Sequence, residues 1–215
     1  MTVLLAGATG LVGGKLLSGL LAKGQPVVCV GRRASGTVHP QLVDMLVDFA
    51  ALPPLPQAET AICALGTTIA TAGSRGAFRA VDHDAVLAFL LASRKAGARH
   101  AVLITAVGSD PAAAAFYSRV KGEAEVSARA MGFEQLDLIR PGLILGARAE
   151  SRPMEALMQR LAPVLNPLLV GGLTQFGAIP ARTIATAIIR LSGTAVPGVH
   201  IHGNTQLRQL ALDSG

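Results

Sequence analysis

The stretch 3-VLLAGATGLVGGKLL-17 decides the fold of this chain. It opens with a short apolar run and ends with apolar residues at helical spacing, which predicts a strand over Val3–Ala6 and a helix over Leu11–Ala22. Three glycines stand at every third position between the two. A strand that passes into a helix through closely spaced glycines is typical of the first βα turn of a dinucleotide-binding sheet.

Gly7, Gly10 and Gly13 each have a physical reason in such a turn. One permits the tight turn, the next lets the backbone approach a pyrophosphate without a Cβ in the way, and the last lets the helix pack closely against the sheet. The spacing is one residue looser than G-x-G-x-x-G, so a glycine-rich turn without a ligand is the alternative. The predicted pyrophosphate loop comprises Gly7, Ala8, Thr9, Gly10, Leu11, Val12 and Gly13.

Short apolar runs alternate with longer runs of helical spacing along most of the chain. Because parallel strands that are buried on both faces have continuous apolar sequences, this alternation predicts an α/β fold with a doubly wound parallel sheet of the Rossmann type. The segment 39–46 is interpreted as a short helical turn. Further strands are predicted over residues 27–30, 45–48, 61–65, 101–105 and 136–140, and further helices over residues 78–96 and 113–131.

The pattern changes after Pro141, where glycines, prolines and short helical pieces dominate. We interpret residues 143–177 as a small cap on the carboxyl edge of the sheet. It is followed by a helix over Ala181–Leu191, a strand over residues 199–202 and a last short helix. The cap is too short for a core of its own, so residues 1–215 are predicted to form a single domain.

The composition of the chain limits the kinds of molecule that it is expected to bind. The net charge is +6, but it is scattered, and aromatic residues make up only 3% of the 215 residues, so a nucleic-acid surface with stacking platforms is not expected. No apolar run reaches the ~18 residues of a membrane span, and the start resembles no signal peptide. A small-molecule substrate, no nucleic acid, no membrane and a cytoplasmic location are therefore predicted.

Two kinds of residue are predicted to be structural. Cys29 and Cys63 lie in apolar strand-like runs and are expected to be buried free thiols. His200 and His202 alternate on a strand, but no third ligand is evident, so a structural role is favoured over a metal site. His100 opens the fifth predicted strand and is expected to be a loop residue.

The end of the second strand indicates which dinucleotide would bind. At this point the chain has no acidic residue that could accept a hydrogen bond from the adenosine ribose 2′-hydroxyl. It has Arg32 and Arg33 instead. A guanidinium suits a 2′-phosphate by charge and by its forked donors, which favours NADP(H) over NAD(H). The alternative is a solvated arginine pair. Asp48, after the third strand, is expected either to reach the adenine or to cap a turn.

The segment 116-FYSRVKGEAE-125 carries the candidate chemistry. It contains the only tyrosine of the chain, Tyr117, with Lys121 four residues later on the same face of a helix. An ammonium beside a phenol favours the phenolate and lowers a pKa that is ~10 for a free phenol. Such a phenol can exchange a proton with a carbonyl or an alcohol. A hydroxyl that orients the substrate is expected at Thr105, with Ser109 as the second choice.

These motifs resemble the short-chain dehydrogenase/reductase superfamily, in its atypical and extended branches. The resemblance depends on the segments "GATGLVG" (7–13), "YSRVK" (117–121) and "RPGLILG" (140–146). More narrowly, "CALGTT", "FRAVDHD", "YSRVKGEAE" and "IRPGLILGARAESRP" are similar to the Tat-interacting-protein-like oxidoreductases.

The resemblance implies a Rossmann fold that binds NADP(H). It implies that Tyr117 is the acid–base residue and that Lys121 binds the nicotinamide ribose. It also implies that the hydroxyl of Thr105 orients the substrate. The implied cofactor contacts elsewhere are Gly66 and Thr67 near the middle of the cofactor, and Pro141, Gly142 and Leu143 at the nicotinamide end. The chain departs from the superfamily in having Ala106 where a second hydroxyl is frequent, and Asp82 where an asparagine is frequent.

The sequence thus predicts an NADP(H)-dependent oxidoreductase that acts on a small carbonyl, alcohol or sugar-like substrate. Two alternatives stay open, a dinucleotide-sensing regulator without turnover and a nucleotide-sugar epimerase or dehydratase. Oligomeric state is open as well, with a homodimer paired through the helix over residues 113–131 as the candidate by analogy.

Overall fold

Seven parallel strands form the main sheet of the molecule, in the order β3-β2-β1-β4-β5-β6-β9. The structure is a computed structural model, and it describes residues 2–146 and 176–212. The predicted doubly wound parallel sheet is confirmed. The strands are β1 (Val3–Ala6), β2 (Val27–Gly31), β3 (Leu42–Leu46), β4 (Thr60–Cys63), β5 (His100–Ile104), β6 (Gln135–Ile139), β7 (Leu143–Leu145), β8 (Ala178–Pro180) and β9 (Gly198–His202).

Helices cover both faces of this sheet. One face packs against α1, α6 and α7, and the other face packs mainly against α4 and α5. A π-helical segment, Ala80–Ala85, joins α3 to α4, and a short 3-10 turn spans Phe49–Ala51. The α-helices are α1 (Leu11–Ala22), α2 (Ile69–Ala72), α3 (Arg75–Arg79), α4 (Val86–Lys95), α5 (Phe116–Ala130), α6 (Ala181–Leu191) and α7 (Asn204–Leu212).

The central strands are buried along their whole length because neither of their faces meets water. Leu4 and Leu5 of β1 point to opposite faces, and both are fully buried. β4, β5 and β6 are likewise buried at every position. This is the burial that a parallel sheet with helices on both sides requires.

The edge strand β3 differs from the prediction. It spans Leu42–Leu46 and pairs with β2, so the helical turn predicted over residues 39–46 is wrong and the predicted strand over 45–48 begins three residues too late. The reason is that β3 is an edge strand with exposed apolar residues such as Val43 and Leu46, so its pattern is neither continuous nor cleanly alternating. The helix predicted over 113–131 begins at Phe116, and the one predicted over 78–96 is interrupted by the π-helical segment.

The strand order places a crevice beside β1. The chain leaves β1 toward β2 on one side and returns to β4 on the other, so the connections diverge at the carboxyl ends of β1 and β4. Ligands of open α/β sheets bind at such a topological switch point. The candidate residues are therefore expected to gather at this edge.

The C-terminal part adds a second small sheet. β7 pairs in parallel with β8, with Leu143 opposite Ala178 and Leu145 opposite Pro180. Most of the predicted cap over 143–177 lies outside the described residues, and the single-domain organisation stays a prediction. Among residues 2–146 and 176–212, no helix combines the length and apolarity needed to cross a bilayer.

A buried polar cluster joins β5, β6 and β9. Nε2 of His100 lies 2.7 Å from Oδ2 of Asp137, and Nε2 of His202 lies 2.6 Å from Oδ1 of the same carboxylate. Gln135 donates a third hydrogen bond to Asp137, at 2.8 Å. The expectation of a loop position for His100 is wrong, since this residue begins β5 and is buried.

Both cysteines are buried free thiols, as predicted. Burial raises the pKa of Cys29 and that of Cys63 to about 12. Thiols with such pKa values remain protonated at neutral pH and are poor nucleophiles.

Candidate active site

The glycine loop after β1 is shaped by close backbone contacts. Gly7 has φ of 86°, in the left-handed region, and its carbonyl accepts a hydrogen bond of 2.9 Å from the amide of Gly10. A Cβ on Gly7 would lie 2.4 Å from the carbonyl oxygen of Ala64, so the loop after β1 packs directly against the segment after β4. A side chain at this position would push the two walls of the crevice apart.

The first turn of α1 packs directly against the same loop. A Cβ on Gly13 would lie 2.0 Å from the carbonyl oxygen of Gly7, which is less than any real contact. Gly10 is the N-cap and offers no capping side chain, and the first turn contains no acidic residue. The first amides of α1 therefore have no capping side chain in front of them, and the positive end of the helix dipole points into the crevice.

The remaining loop residues divide by exposure. Thr9 and Gly10 are exposed, Ala8 and Leu11 are half-buried, and Val12 is buried in the core. Val12 would thus contact a ligand only through its backbone. Gly7 and Gly13 let the loop, α1 and the segment after β4 approach one another this closely, which is the backbone arrangement that a pyrophosphate site at a helix N-terminus needs.

Arg32 and Arg33 lie exposed just beyond the carboxyl end of β2, next to β1 in the sheet. Within residues 2–146 and 176–212, neither guanidinium has an ion-pair partner. Asp48 behaves as a cap, since its Oδ1 accepts a hydrogen bond of 3.0 Å from the amide of Ala50 at the start of the 3-10 turn. The adenine role predicted as an alternative for Asp48 gains no support from this contact.

A buried ion pair forms the floor of the crevice beside β4. Nζ of Lys121 lies 2.8 Å from Oδ1 of Asp82, and their side chains are 6% and 0% exposed. The other carboxylate oxygen of Asp82 accepts a hydrogen bond of 2.8 Å from the amide of Thr67. A Cβ on Gly66 would lie 3.6 Å from the Lys121 nitrogen, an ordinary contact, so the backbone after β4 runs directly beside the ion pair.

The charge on Lys121 depends on its partner. Burial lowers the pKa of Lys121, but the Asp82 carboxylate more than offsets that effect, and Tyr117 adds to the rise. The pKa of Lys121 therefore lies above its usual value, and the side chain stays protonated despite its burial.

Tyr117 lies in the first turn of α5, one turn before Lys121 on the same face of the helix. Its side chain is about one-third exposed, and its ring centroid lies 5.5 Å from that of the buried Phe78. The phenol is thus supported on one side by an aromatic ring and remains open to solvent. Tyr117 and Lys121 thus lie on one helix, and their action as a pair stays a prediction.

The two candidate hydroxyl groups already donate hydrogen bonds to acceptors within the protein. Thr105 is buried and donates a hydrogen bond of 2.7 Å to Oε1 of Glu125. Ser109 is also buried, and it donates at 2.7 Å to the carbonyl of Ala106. Either hydroxyl can accept a further hydrogen bond, but in this arrangement neither presents its proton to the crevice.

A second buried ion pair anchors α5 to β6. Arg140, just after β6, contacts Glu125 with Nε at 2.9 Å and a terminal nitrogen at 2.5 Å. Glu125 is eight residues after Tyr117, so phenol, ammonium and carboxylate follow one another along one face of the helix. Asp82 and Arg140 therefore each hold one residue of this face of α5 by an ion pair.

The predicted nicotinamide end is held by the last helix. Oδ1 of Asn204, the first residue of α7, accepts a hydrogen bond of 3.0 Å from the amide of Gly142. The carbonyl of Pro141 accepts one of 2.9 Å from Val107, and Leu143 begins β7. The segment over 141–143 therefore lies beside the loop that follows β5, at the same edge as Tyr117.

Several residues of this site were not identified from the sequence. Glu125 and Arg140 pair across different elements, and Asn204 contacts a segment 62 residues earlier. Only Glu125 carried a local signal, its helical spacing from Tyr117 and Lys121. Asp82 was identified only as a departure from a family pattern, and the structure shows it to be the partner of Lys121.

Comparison with known proteins finds relatives along almost the whole chain. The mitochondrial protein fmp52 of Emericella nidulans is 35% identical over 214 residues, which covers 91% of this chain and 90% of that protein. The protein HTATIP2 of Rattus norvegicus is 32% identical over 227 residues, which covers 99% of this chain and 90% of that protein. No family model matches the sequence.

Solved structures share the fold at low identity. MoeE5 in complex with UDP-glucose and NAD superposes with a TM-score of 0.73 at 18% identity, covering 100% of this chain and 82% of that one. Human epimerase family protein SDR39U1 (isoform2) with NADPH gives a TM-score of 0.64 at 21% identity, covering 94% and 74%. These likenesses establish the architecture.

The predicted cytoplasmic location is wrong. The fmp52 relatives from Emericella nidulans, Aspergillus terreus and Aspergillus fumigatus, each matching about nine-tenths of this chain, are all named mitochondrial proteins. The prediction depended on a general pattern of signal sequences, which carries little information on location.

Proposed function

The chain belongs to the family of the FMP52 proteins and HTATIP2, and from that premise we propose that it is an oxidoreductase that uses a nicotinamide dinucleotide. Its substrate is a small carbonyl compound or alcohol, with a sugar-like molecule as one member of that class. The predicted family, the Tat-interacting-protein-like branch, is confirmed by the HTATIP2 relative.

One observation carries the proposal. A phenol and a buried ammonium share one face of α5 at the carboxyl edge of the sheet, where the glycine loop also opens. A dinucleotide with its pyrophosphate on the amides of α1 would extend along this edge toward that pair. The arrangement therefore combines a binding cradle with a proton donor.

Each residue of the site has a separate role in the proposed reaction. When bound, the nicotinamide supplies or accepts a hydride. Tyr117 gives a proton to the substrate oxygen during reduction and takes it back during oxidation. Lys121 stabilises the phenolate, and its N–H groups that do not contact Asp82 are available to ribose hydroxyls. Gly66 lies beside this ammonium, since a Cβ there would be 3.6 Å from the Lys121 nitrogen.

A test of this role uses Tyr117→Phe. The substitution removes the proton donor and keeps the ring against Phe78, so we expect turnover to fall roughly 10³-fold while dinucleotide binding is retained. Turnover is followed by NADPH oxidation against a panel of carbonyl compounds, and binding by calorimetry. Ser118→Ala, at the next position of α5, is the matched control and should keep activity. Full activity in Tyr117→Phe on an accepted substrate would refute the role.

We further propose a preference for NADP(H) over NAD(H). The support is the exposed guanidinium groups of Arg32 and Arg33 beyond β2, which form no ion pair with any residue of 2–146 and 176–212. Replacing both by alanine removes charge-assisted contacts to a 2′-phosphate, so NADPH binding should weaken about 30-fold while NADH binding changes little. Calorimetry with both dinucleotides measures this. Arg99→Ala, an exposed arginine before β5, is the control. An equal loss for both dinucleotides contradicts the preference.

A second candidate function is a dinucleotide-binding regulator without turnover. It is favoured by the hydrogen bonds of Thr105 and Ser109, because both hydroxyl protons are directed to acceptors within the protein. Tight NADPH binding without oxidation across a broad carbonyl panel would favour this candidate. NADPH turnover that depends on Tyr117 would exclude it.

A further inference from the structure

Two arginines lie over one aromatic ring beside the proposed proton donor. The guanidinium carbons of Arg75 and Arg119 lie 5.2 Å and 5.9 Å from the centroid of the Phe116 ring. Phe116 begins α5 and directly precedes Tyr117. We propose that the two guanidinium groups bind an anionic group of the substrate, which is then a carbonyl compound that also carries a carboxylate or a phosphate. This inference rests on the proposed function of Tyr117 as the proton donor.

A buried aromatic side chain connects the arginines to the phenol. Phe78 is fully buried, and its ring centroid lies 5.9 Å from that of Phe116 and 5.5 Å from that of Tyr117. The phenol and the ring beneath the arginines therefore rest on the same support. A substrate with its carbonyl oxygen at Tyr117 thus has two positive charges close to its other end.

The two charges lack a counter-charge within the protein. Throughout the portion of the chain that the structure describes, no carboxylate forms an ion pair with Arg75 or Arg119. By contrast, Arg79, one turn after Arg75 on α3, forms an ion pair with Glu123 of α5. The contact between α3 and α5 therefore has one compensated arginine and two that are uncompensated. Two like charges near one ring repel each other, and a bound anion would offset that repulsion.

Both guanidinium groups retain donors for a ligand. One terminal nitrogen of Arg119 donates to the carbonyls of Ala113 and Ala114, at 2.8 Å and 3.1 Å, so its Nε and its other terminal nitrogen remain available. Arg75 is exposed, and its contact with Phe116 orients it without using an N–H group. Planar, forked donors of this kind suit the paired oxygens of a carboxylate or a phosphate.

The first experiment measures binding without turnover. Short oxo acids and their methyl esters are titrated by calorimetry into the full chain with excess oxidised NADP, which has no hydride to give to a carbonyl group. A phosphorylated aldehyde is compared in the same way with the unphosphorylated aldehyde, which distinguishes phosphate from carboxylate. We expect the charged member of at least one pair to bind about 30-fold more tightly than its neutral counterpart.

Arg75→Ala removes one guanidinium group and leaves the hydrogen bonds of Arg119 in place. We expect the affinity for the charged compound to fall about 10-fold, while the affinity for the neutral one stays the same. Arg129→Ala is the matched control, because it removes an exposed arginine from the last turn of the same helix, and it should change neither affinity.

Phe116→Leu tests whether the ring holds the arginines in place. Both positive charges remain in this variant, but their contacts with the ring are lost, so the affinity for the charged compound should fall about 4-fold. Circular dichroism checks that each variant is folded. Equal affinities within every pair of compounds for the wild type overturn the inference. So does an unchanged affinity for the charged compound in folded Arg75→Ala or folded Phe116→Leu.

The kinetic arm separates this inference from the proposed function. With NADPH, kcat/KM should be higher for the charged compound, and Arg75→Ala should lower kcat/KM about 10-fold for that compound alone. Charged compounds that bind through Arg75 but are never reduced would refute the oxidoreductase proposal and leave the anion site intact. Reduction that depends on Tyr117 but has the same kcat/KM for charged and neutral compounds would overturn the inference and leave the oxidoreductase proposal intact.

Discussion

At the scale of single residues, Asp137 shows how a buried charge stabilises the fold. Burial raises the pKa of Asp137, but hydrogen bonds from His100, His202 and Gln135 outweigh that effect and hold the pKa well below its usual value. A carboxyl whose native pKa is lowered stabilises the fold above its unfolded pKa of ~3.9. That contribution is lost as pH falls from this value toward the lower native pKa.

Replacing Asp137 by asparagine should therefore destabilise the protein in a pH-dependent way. We expect the free energy of unfolding at pH 7 to fall by about 3 kcal/mol, because two imidazoles lose a charged acceptor. The difference from the wild type should shrink in acid. Urea titrations across the pH range measure it. Glu134→Gln, with a side chain 59% exposed, is the control and should cost less than about 0.5 kcal/mol. A constant loss at every pH would contradict the explanation.

Residue-level prediction succeeded where the signal is local. The spacing of Tyr117 and Lys121 is helical, and both residues lie on α5 one turn apart. The pairing of Glu125 with Arg140, and of Asn204 with Gly142, depends on contacts between distant segments. No local pattern specifies such a partner, which is why these residues were missed.

At the scale of elements, α1 depends on two adjacent glycines in different ways. A Cβ on Gly13 would collide with the Gly7 carbonyl at 2.0 Å, whereas a Cβ on Gly14 would lie 3.5 Å from the Ala8 carbonyl, an ordinary contact. The loop backbone cannot move out of the way cheaply, because Gly7 packs against Ala64. The first glycine therefore sets the approach of the helix to the loop, and the second does not.

Gly13→Ala should displace α1 and widen the pyrophosphate loop. We expect it to lower the free energy of unfolding by about 2 kcal/mol and to abolish measurable dinucleotide binding. Gly14→Ala is the matched control and should raise stability slightly, since alanine favours a helix over glycine by about 1 kcal/mol. Thermal unfolding and calorimetry give both quantities. Equal behaviour of the two variants would show that the close contact at Gly13 is unimportant.

Element prediction was accurate where burial is complete. β1 and α1 have the predicted bounds, because an apolar strand and a periodic helix are separated by glycines that end one and begin the other. β3 was misplaced because an edge strand mixes exposed apolar and polar residues. The π-helical segment was not foreseen, since its sequence continues the helical spacing of α4.

At the scale of the whole molecule, two exposed apolar side chains point to self-association. Leu91 on α4 and Val126 on α5 are 47% and 52% exposed, on the two helices that cover the same face of the sheet. We propose that these helices pair with those of a second copy, as the sequence suggested for the region 113–131. Apolar residues on adjacent helices are a common basis for such interfaces.

Leu91→Arg combined with Val126→Arg should convert such a dimer to monomers, because two charges would be buried without partners. Light scattering after size exclusion measures the mass. Val38→Arg, at a fully exposed position outside the helices, is the control and should leave the mass unchanged. A monomeric wild-type protein would refute the proposed assembly.

The whole-molecule architecture was predictable because alternation of strands and helices restricts the topology. A parallel, doubly wound sheet leaves few strand orders, and the observed order β3-β2-β1-β4-β5-β6 is one of them. The β7–β8 pair was not predicted, since each strand has three residues and its partner lies far along the chain.

That small pair connects two distant parts of the chain beside the glycine loop. Ile144 lies opposite Ile179 in the register of β7 and β8. Ile179 is fully buried, and Ile144 packs against the same apolar cluster, which includes Val12 and Leu16 of α1. Both short strands are therefore fastened to the helix that follows the glycine loop, so a substitution that loosens the β7–β8 pair should also disturb the start of α1.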